Sequence, residues 1–484
     1  MPIPFPDGDL STAAELGAVD DRSVRVWFRQ PNEHEVVGTL SVDGRADVVQ
    51  RVQPSAERDW TGVLDLSLEE AAPDAAFTFR VGNRTLSGRF TPIPGTAASL
   101  TFGFGSCHMP FVGDAGSMCV STAARGLYSA MQREMTEARS RLLLLTGDQI
   151  YADERPGISV RDDLTDDDER PPSLAVALDA YRRNYRGFFN ESGMRALRDS
   201  FPTLMMWDDH DILDNWGSTR KRSPLDELLF TAASHAYAEY QHNRNPPRSD
   251  GAGTVPPFDW TQTHGNIGVL ALDLRGARDP EHGTMLGIEQ MNRIEEYLSG
   301  EASLQIDSLF VLASVPIAHV SRWFTTLFDV LPERFSELIK DRWLSKRFIA
   351  SRDALLDALF DWQQERPERQ VIVLSGDVHC ASAFTIRQRS GPGVIQQVTS
   401  SALSTPFVRK LLFFNRVVFR APNLLEPRYR FERHFLSLTH NFGIVRTEPL
   451  PTGGHRVVIT IRGWQPRANA TGTVGRVICV PEAR

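Results

Sequence analysis

Four apolar segments of this chain each run straight into residues that could hold a metal ion. Leu142–Leu145 leads to Gly147-Asp148 and on to Tyr151, and Phe102–Gly105 leads to Ser106-Cys107-His108. Thr203–Trp207 leads to Asp208-Asp209-His210-Asp211, and Val371–Ser375 leads to Gly376-Asp377-Val378-His379. Unbroken apolar runs of this length suit strands buried on both faces of a parallel sheet. In open α/β sheets, chemistry sits in the crevice beyond the carboxyl ends of such strands. One strand ending in a carboxylate is ordinary, but four ending in Asp, His, Cys and Tyr describe a metal centre. These groups are expected to gather at the edge of a single sheet.

The donor types narrow the metal. A thiolate from Cys107 and a phenolate from Tyr151 favour a trivalent iron over Mg²⁺. The competing readings are structural: Cys107 as a small buried hydrophobe and Tyr151 as a core aromatic with a satisfied hydroxyl. Asp377 and His379 share a side if their strand stays extended, since residues i and i+2 face the same way. Asp209 and His210 reach one pocket only if the chain turns after Trp207. Asn215 could give its amide oxygen to a hard cation, or simply serve a turn. Arg275, near the end of the strand that starts at Val269, could grip phosphate oxygens bidentately or form an ion pair within the protein. His108, His319 and His440 read as structural more readily than as catalytic, and Cys380 as core.

The elements that must position these groups follow from pattern. The chain has 484 residues, 41% of them hydrophobic, enough for a large core and two domains. Residues 1–97 contain short alternating segments, such as Ser23–Phe28, Glu35–Ser41, Thr61–Leu68 and Ala76–Val81, between Gly, Pro and Asp. That pattern predicts an all-β sandwich of six or seven strands. From residue 98 to 484 strands alternate with amphipathic helices, which predicts an α/β domain. Expected helices are Thr122–Arg139, Leu174–Leu197, Asp226–Tyr240, Glu289–Leu298 and Arg352–Glu365. The acid-rich Asp162–Arg170 lacks the pattern of an ordered calcium loop and reads as a solvated insert. Beyond Asp377 the expected strands are Ala383–Gln388, Val394–Thr399, Phe435–Arg446, Arg456–Arg462 and Val474–Val480, forming a second sheet packed on the first.

Composition excludes several classes. The net charge is −8 and the pI about 5.9, with no basic run to track a phosphate backbone, so no nucleic-acid-binding surface is expected. No apolar run approaches the roughly 18 residues of a membrane span. Four cysteines are too few for a disulfide framework, and the opening MPIPFPDGDL has no secretory pattern. The expected compartment is therefore the cytoplasm. No nucleophile elbow, P-loop or dinucleotide fingerprint occurs, which disfavours serine hydrolases, NTPases and nicotinamide enzymes.

Together, GSC (Gly105–Cys107), GDQIY (Gly147–Tyr151), WDDHD (Trp207–Asp211) with Asn215, and SGDVH (Ser375–His379) resemble the motifs of the PhoD-like alkaline phosphatases, members of the metallophosphoesterase superfamily. VTSSALSTPF (Val398–Phe407) resembles the segment that follows in that family. The resemblance implies a two-sheet α/β sandwich preceded by a small all-β sandwich domain. It also implies an iron-plus-calcium site, with other divalent metals compatible, and a phosphate-ester substrate. By resemblance, Asp148 bridges two cations, Cys107, Tyr151, Asp377 and His379 complete the ligand set, and Asp209 binds the second cation with Asn215. His210 protonates the leaving oxygen or holds the phosphate, and Asp208 supports the site from behind. A metal-bound hydroxide would attack phosphorus in a phosphomonoester or phosphodiester. Two rival expectations are a phospholipase D-like phosphodiesterase on the same site and a non-catalytic binding protein with a vestigial one. Departures from the family are Asp211, where Glu is usual, and the stretch Ala318–Arg347, which matches its pattern poorly.

Overall fold

Alternation of apolar and polar residues begins the chain. In Ala76–Val81 every second side chain is buried, with Phe77, Phe79 and Val81 turned inward. Seven such strands lie in two antiparallel sheets. One orders Ala13–Val19, Ser23–Arg29 and Thr61–Ser67; the other orders Val48–Val52, Val36–Ser41, Ala76–Val81 and Arg84–Arg89. Val24, Val26, Leu64 and Leu66 of the first meet Leu40, Phe77, Phe79 and Leu86 of the second in one apolar layer. Ala13–Val19 is buried along its whole length, because its outer side lies against the Ser192–Ser200 helix and the Thr203–Met206 strand.

The computed structural model describes residues 5–113, 117–154, 158–165, 172–218, 222–248, 255–319, 321–329, 341–405 and 423–481. The chain has a mixed α/β fold with several sheets. Two large sheets follow the first pair. The six-stranded one orders Thr203–Met206, Leu142–Thr146, Leu100–Gly105, Asn441–Pro449, His455–Gln465 and Ala470–Cys479, its first three strands parallel. The seven-stranded one orders Trp260–His264, Ile267–Leu272, Ser308–Ala313, Gln370–Ser375, Val394–Thr399, Ala381–Gln388 and Tyr429–Ser437. They face each other through Phe102, Phe104, Leu144 and Leu204 on one side and Val269, Phe310, Leu312 and Leu374 on the other. Helices Thr122–Glu137, Leu174–Phe189, Ser192–Ser200 and Pro224–Tyr240 cover the outside of the six-stranded sheet. Gly287–Ser299 and Ile349–Gln364 cover the outside of the other.

Three expectations change. The helix foreseen over Leu174–Leu197 is two, because the Glu191 carboxylate accepts from the Gly193 and Met194 N–H groups and starts a new helix. The strand foreseen over Phe435–Arg446 is also two, Tyr429–Ser437 and Asn441–Pro449, and these lie in different sheets. The β-rich end of the chain therefore does not form a sheet of its own; it supplies strands to both. Of the acid-rich stretch, a helix Val160–Thr165 is described and residues 166–170 lie outside the described residues. Of Ala318–Arg347, residues 320 and 330–340 lie outside them, as do the last two residues of Val398–Phe407.

Candidate metal centre

Leu100–Gly105, Leu142–Thr146 and Thr203–Met206 run parallel in one sheet, and Gln370–Ser375 runs parallel to its neighbours in the facing one. Their carboxyl ends come together at one rim of the sandwich, so the centre draws on two sheets rather than the edge of one. Gly376 makes the approach possible: a Cβ there would lie 2.3 Å from Ser106 Oγ, so only hydrogen fits. The Cys107 N–H donates to Gly147 O at 3.2 Å and the His108 N–H to Asp148 O at 2.8 Å, which lock the first two loops together.

The backbone at this rim is unusual. Cys107, Asp148, Asn215, Asp377 and His379 all have positive φ, between 50° and 62°. That left-handed conformation costs an L-residue about 1–2 kcal/mol and collects at functional sites. Asp377 and His379 are thus aimed by a bent chain, not by the extended strand that simple alternation assumes. After Trp207 the chain turns into a short 3₁₀ helix, Asp209–Asp211, whose first turn is closed by Asp208 and Asp211.

The side chains converge. Cys107 Sγ lies 3.2 Å from Asp148 Oδ2, and Tyr151 Oη 3.4 Å from His379 Nε2. Donor atoms of Cys107, Asp148 and His379 all fall within 4.8 Å of one another. The same holds for Asp148, Asp209 and His210, and again for Asp208, Asp209 and Asp377. Asp148 and Asp209 each belong to two of these groups. Asn215 is half-buried and donates its backbone N–H to Asp209 Oδ2 at 2.7 Å, so its recorded contact is that of a turn residue.

The rim is crowded with negative groups. Burial, with repulsion from Asp208, Asp209 and Asp211 outweighing attraction to His210, pushes the Asp148 carboxyl well above the usual carboxylate range. Burial likewise lifts Asp211 and Asp214 to about 7. Burial and the Asp148 charge push the Cys107 thiol up, and burial, Cys107 and Asp148 do the same to the Tyr151 hydroxyl. Asp209 goes the other way: against its burial, Arg275 and His210 hold it below the usual range. Burial and the neighbouring His210 bring His379 down to about 3, leaving a neutral imidazole able to donate a lone pair. Asp148 Oδ1 is buried and has no hydrogen-bond partner among the described residues. An acceptor stranded among thiol, phenol, imidazole and carboxylate donors fits a metal cation.

Other candidates take supporting places. Arg275 is fully buried and does not face outward for a substrate. Its guanidinium pairs with Asp208, spans Asp341 at 2.9 and 3.2 Å, donates to Trp216 O at 3.0 Å and lies 3.4 Å from Asp209. It is the internal ion pair that the sequence also allowed. Asp208 lies behind the rim, held by Arg275 and by the Ser314 hydroxyl at 2.9 Å. Asp211 ties two loops: it accepts from the Asp208 N–H at 2.9 Å and from Gln241 Nε2 at 2.8 Å. His108 bonds Tyr128 at 2.6 Å inside the core, and Cys380 is buried with its thiol pushed up to about 12 by burial.

Two residues at the rim carry no sequence signal of their own. Asp153 holds His210 Nδ1 at 2.8 Å, and although burial works against it, that carboxylate keeps the imidazole charged well above its ordinary range. The His210 ring stacks on Tyr151 at 4.3 Å. Arg342 ion-pairs with Asp377.

The chain is similar to known proteins in sequence family and in fold. A family model described as PhoD-like phosphatase matches residues 115–422, well over half of the chain, including every rim motif except Cys107. The solved structure of PhoD superposes with a TM-score of 0.64 at 16% identity, over 99% of this chain and 89% of that one. A purple acid phosphatase from yellow lupin (Lupinus luteus) seeds superposes with a TM-score of 0.57 at 10% identity, over 94% of this chain and 72% of that one. At such identities the likeness is one of fold. No curated protein matches the sequence.

Proposed function

The chain belongs to the PhoD-like phosphatase family and is a hydrolase acting on phosphate esters, and from that premise we propose that it works through metal cations that this rim would hold, with Asp148 as the ligand that two of them would share. The observation that carries this reading is the position of Asp148 in two donor groups at once, with one carboxylate oxygen unpartnered. Cys107, Tyr151 and His379 would hold a cation on one side, with iron the metal their donors suit. Asp209 and Asn215 would hold a harder cation, for which calcium is the family's choice, and Asp377 stands beside Asp208 and Asp209. When bound, such cations neutralise phosphoryl oxygens and lower the pKa of water.

The protein's own groups do the remainder. Asp153 occupies His210 Nδ1, which leaves Nε2 to pass a proton to the departing oxygen. Arg275 sets the direction of Asp208 and Asp209 rather than touching the ester. In this proposal residues 1–97 are a β-sandwich domain and residues 98–484 the metallophosphatase domain.

The test uses the whole chain purified without chelator. Elemental analysis should find two metals per chain. Turnover of p-nitrophenyl phosphate beside its bis ester should show which ester class is preferred, and Asp148→Asn should abolish both. Hydrolysis of neither ester at full metal occupancy would leave a binding protein instead.

A further inference from the structure

The strands that end in the metal centre begin, at their other end, in a cavity of about 370 Å³. Six residues separate Leu142, at the cavity, from Asp148, which at the rise of a strand is about 20 Å. The cavity lies where the first sheets meet the large ones, and its apolar wall is Val19, Leu100, Leu142, Phe201 and Val269. A volume of this size suits a small organic molecule.

Polar atoms in the same wall have no partner among the described residues. They are Ser140 Oγ, Gln262 Oε1 and His264 Nε2. His264 is 6% exposed, and its other contact is with the Ser99 backbone. Burial and the nearby Arg141 bring its pKa down to about 4, so at neutral pH its unpartnered nitrogen is an acceptor. Gln262 gives its amide N–H to Val19 O at 2.6 Å and offers only its oxygen to the cavity. Arg141 is spent on Asp74 at 3.0 Å and on Phe90 O at 2.7 Å, and Arg89 donates to Asp74 O at 2.7 Å, so both guanidinium groups at the cavity are engaged by the protein. Two acceptors and one hydroxyl in an apolar chamber ask for a ligand that donates.

We propose that this cavity is a binding site for an uncharged, mainly apolar small molecule carrying a hydroxyl or N–H donor, such as a phenol or alcohol. Occupation here is independent of ester hydrolysis at the opposite strand ends.

Titration of the full chain with 4-propylphenol, followed by calorimetry and by the shift in unfolding temperature, tests it. Saturable one-to-one binding is expected, at least about tenfold tighter than for 4-propylanisole, which keeps the ring and chain, adds one methyl on the oxygen and has no donor. Gln262→Leu and His264→Phe should each weaken the phenol about two- to tenfold. Ser87→Trp, at the exposed lip, should block it while ester turnover stays at the native level. Should His264→Phe fail to fold, Gln262→Leu and Ser87→Trp still decide. Equal binding of phenol and anisole, binding undiminished by Ser87→Trp, or no saturation up to about 1 mM would overturn the assignment.

Discussion

Two of the buried charge clusters among the described residues are built on opposite terms. Glu15, fully buried in the strand Ala13–Val19, accepts from Arg198 Nε at 3.0 Å and from Arg244 Nη1 at 2.6 Å. Arg244 also lies over the Trp27 ring, 4.7 Å from its centre. Burial alone would raise the Glu15 pKa, yet the two guanidinium groups outweigh it and lower the value. Asp148 is as deeply buried, but its nearest charges are mostly other carboxylates, and its pKa goes up. A buried ion whose partners are complete ties the strand Ala13–Val19 to the Ser192–Ser200 helix and the short His242–Arg244 helix. A buried ion left short of partners is a place for something the chain does not encode.

The contrast breaks most visibly at Asp148. Asp148→Asn should cut ester turnover at least about 10³-fold, roughly 4 kcal/mol of transition-state stabilisation. The unfolding temperature of the metal-free variant should hold or rise, since a repelled charge is removed. A large fall in that temperature would place Asp148 in the same class as Glu15. Glu15→Gln should do the reverse. It strands two guanidinium groups and should cost about 3–5 kcal/mol in denaturant unfolding, with turnover per folded molecule within about twofold of native.

Asp153→Asn should be intermediate, lowering turnover about 10–100-fold and shifting the pH profile of catalysis, because His210 loses the group that keeps it charged. Acid should then separate the clusters again. The folded-state pKa of Glu15 lies below its ordinary 4.5, so its contribution is complete above that value and is lost as pH falls through the lower one. Native protein should lose stability on acidification through this window, and Glu15→Gln should lose less. The smallest effect is expected for Trp27→Phe. It removes the indole bond to Glu239 O at 2.7 Å and should cost about 1 kcal/mol.

Much of the rim is legible in the sequence because a strand buried on both faces admits little but apolar residues, so its end stands out. Asp148, Asp209, Asp377 and Cys107 are found this way. What lies one layer back is not. Asp341 and Arg342 come from a stretch with no periodic signal, and they meet the rim only because Arg275 and Asp377 stand across from them. Asp153 sits in an acidic loop that resembles solvated surface. The division of the last strands between two sheets is likewise hidden, since Asn441–Pro449 pairs with Leu100–Gly105, more than 300 positions earlier. A local pattern names a strand but not its neighbour. The split of the expected Leu174–Leu197 helix escaped for a smaller reason: apolar spacing continues across Glu191, while the capping bonds that end one helix and start the next leave no trace in that spacing.

The left-handed bends at the rim set different rules for retuning the centre at different positions. Tyr151 and Asp209 lie on ordinary backbone, so a change of donor there should alter metal preference with little disturbance to the loop. At Cys107, Asp148, Asn215, Asp377 and His379 the chain path itself selects what can follow. Asn, Asp and Gly tolerate that path, whereas a valine or isoleucine would pull the loop straight. For the proposed centre, engineering a new metal would therefore be a matter of two freely exchangeable candidate ligands and five candidates whose replacements the backbone has already screened.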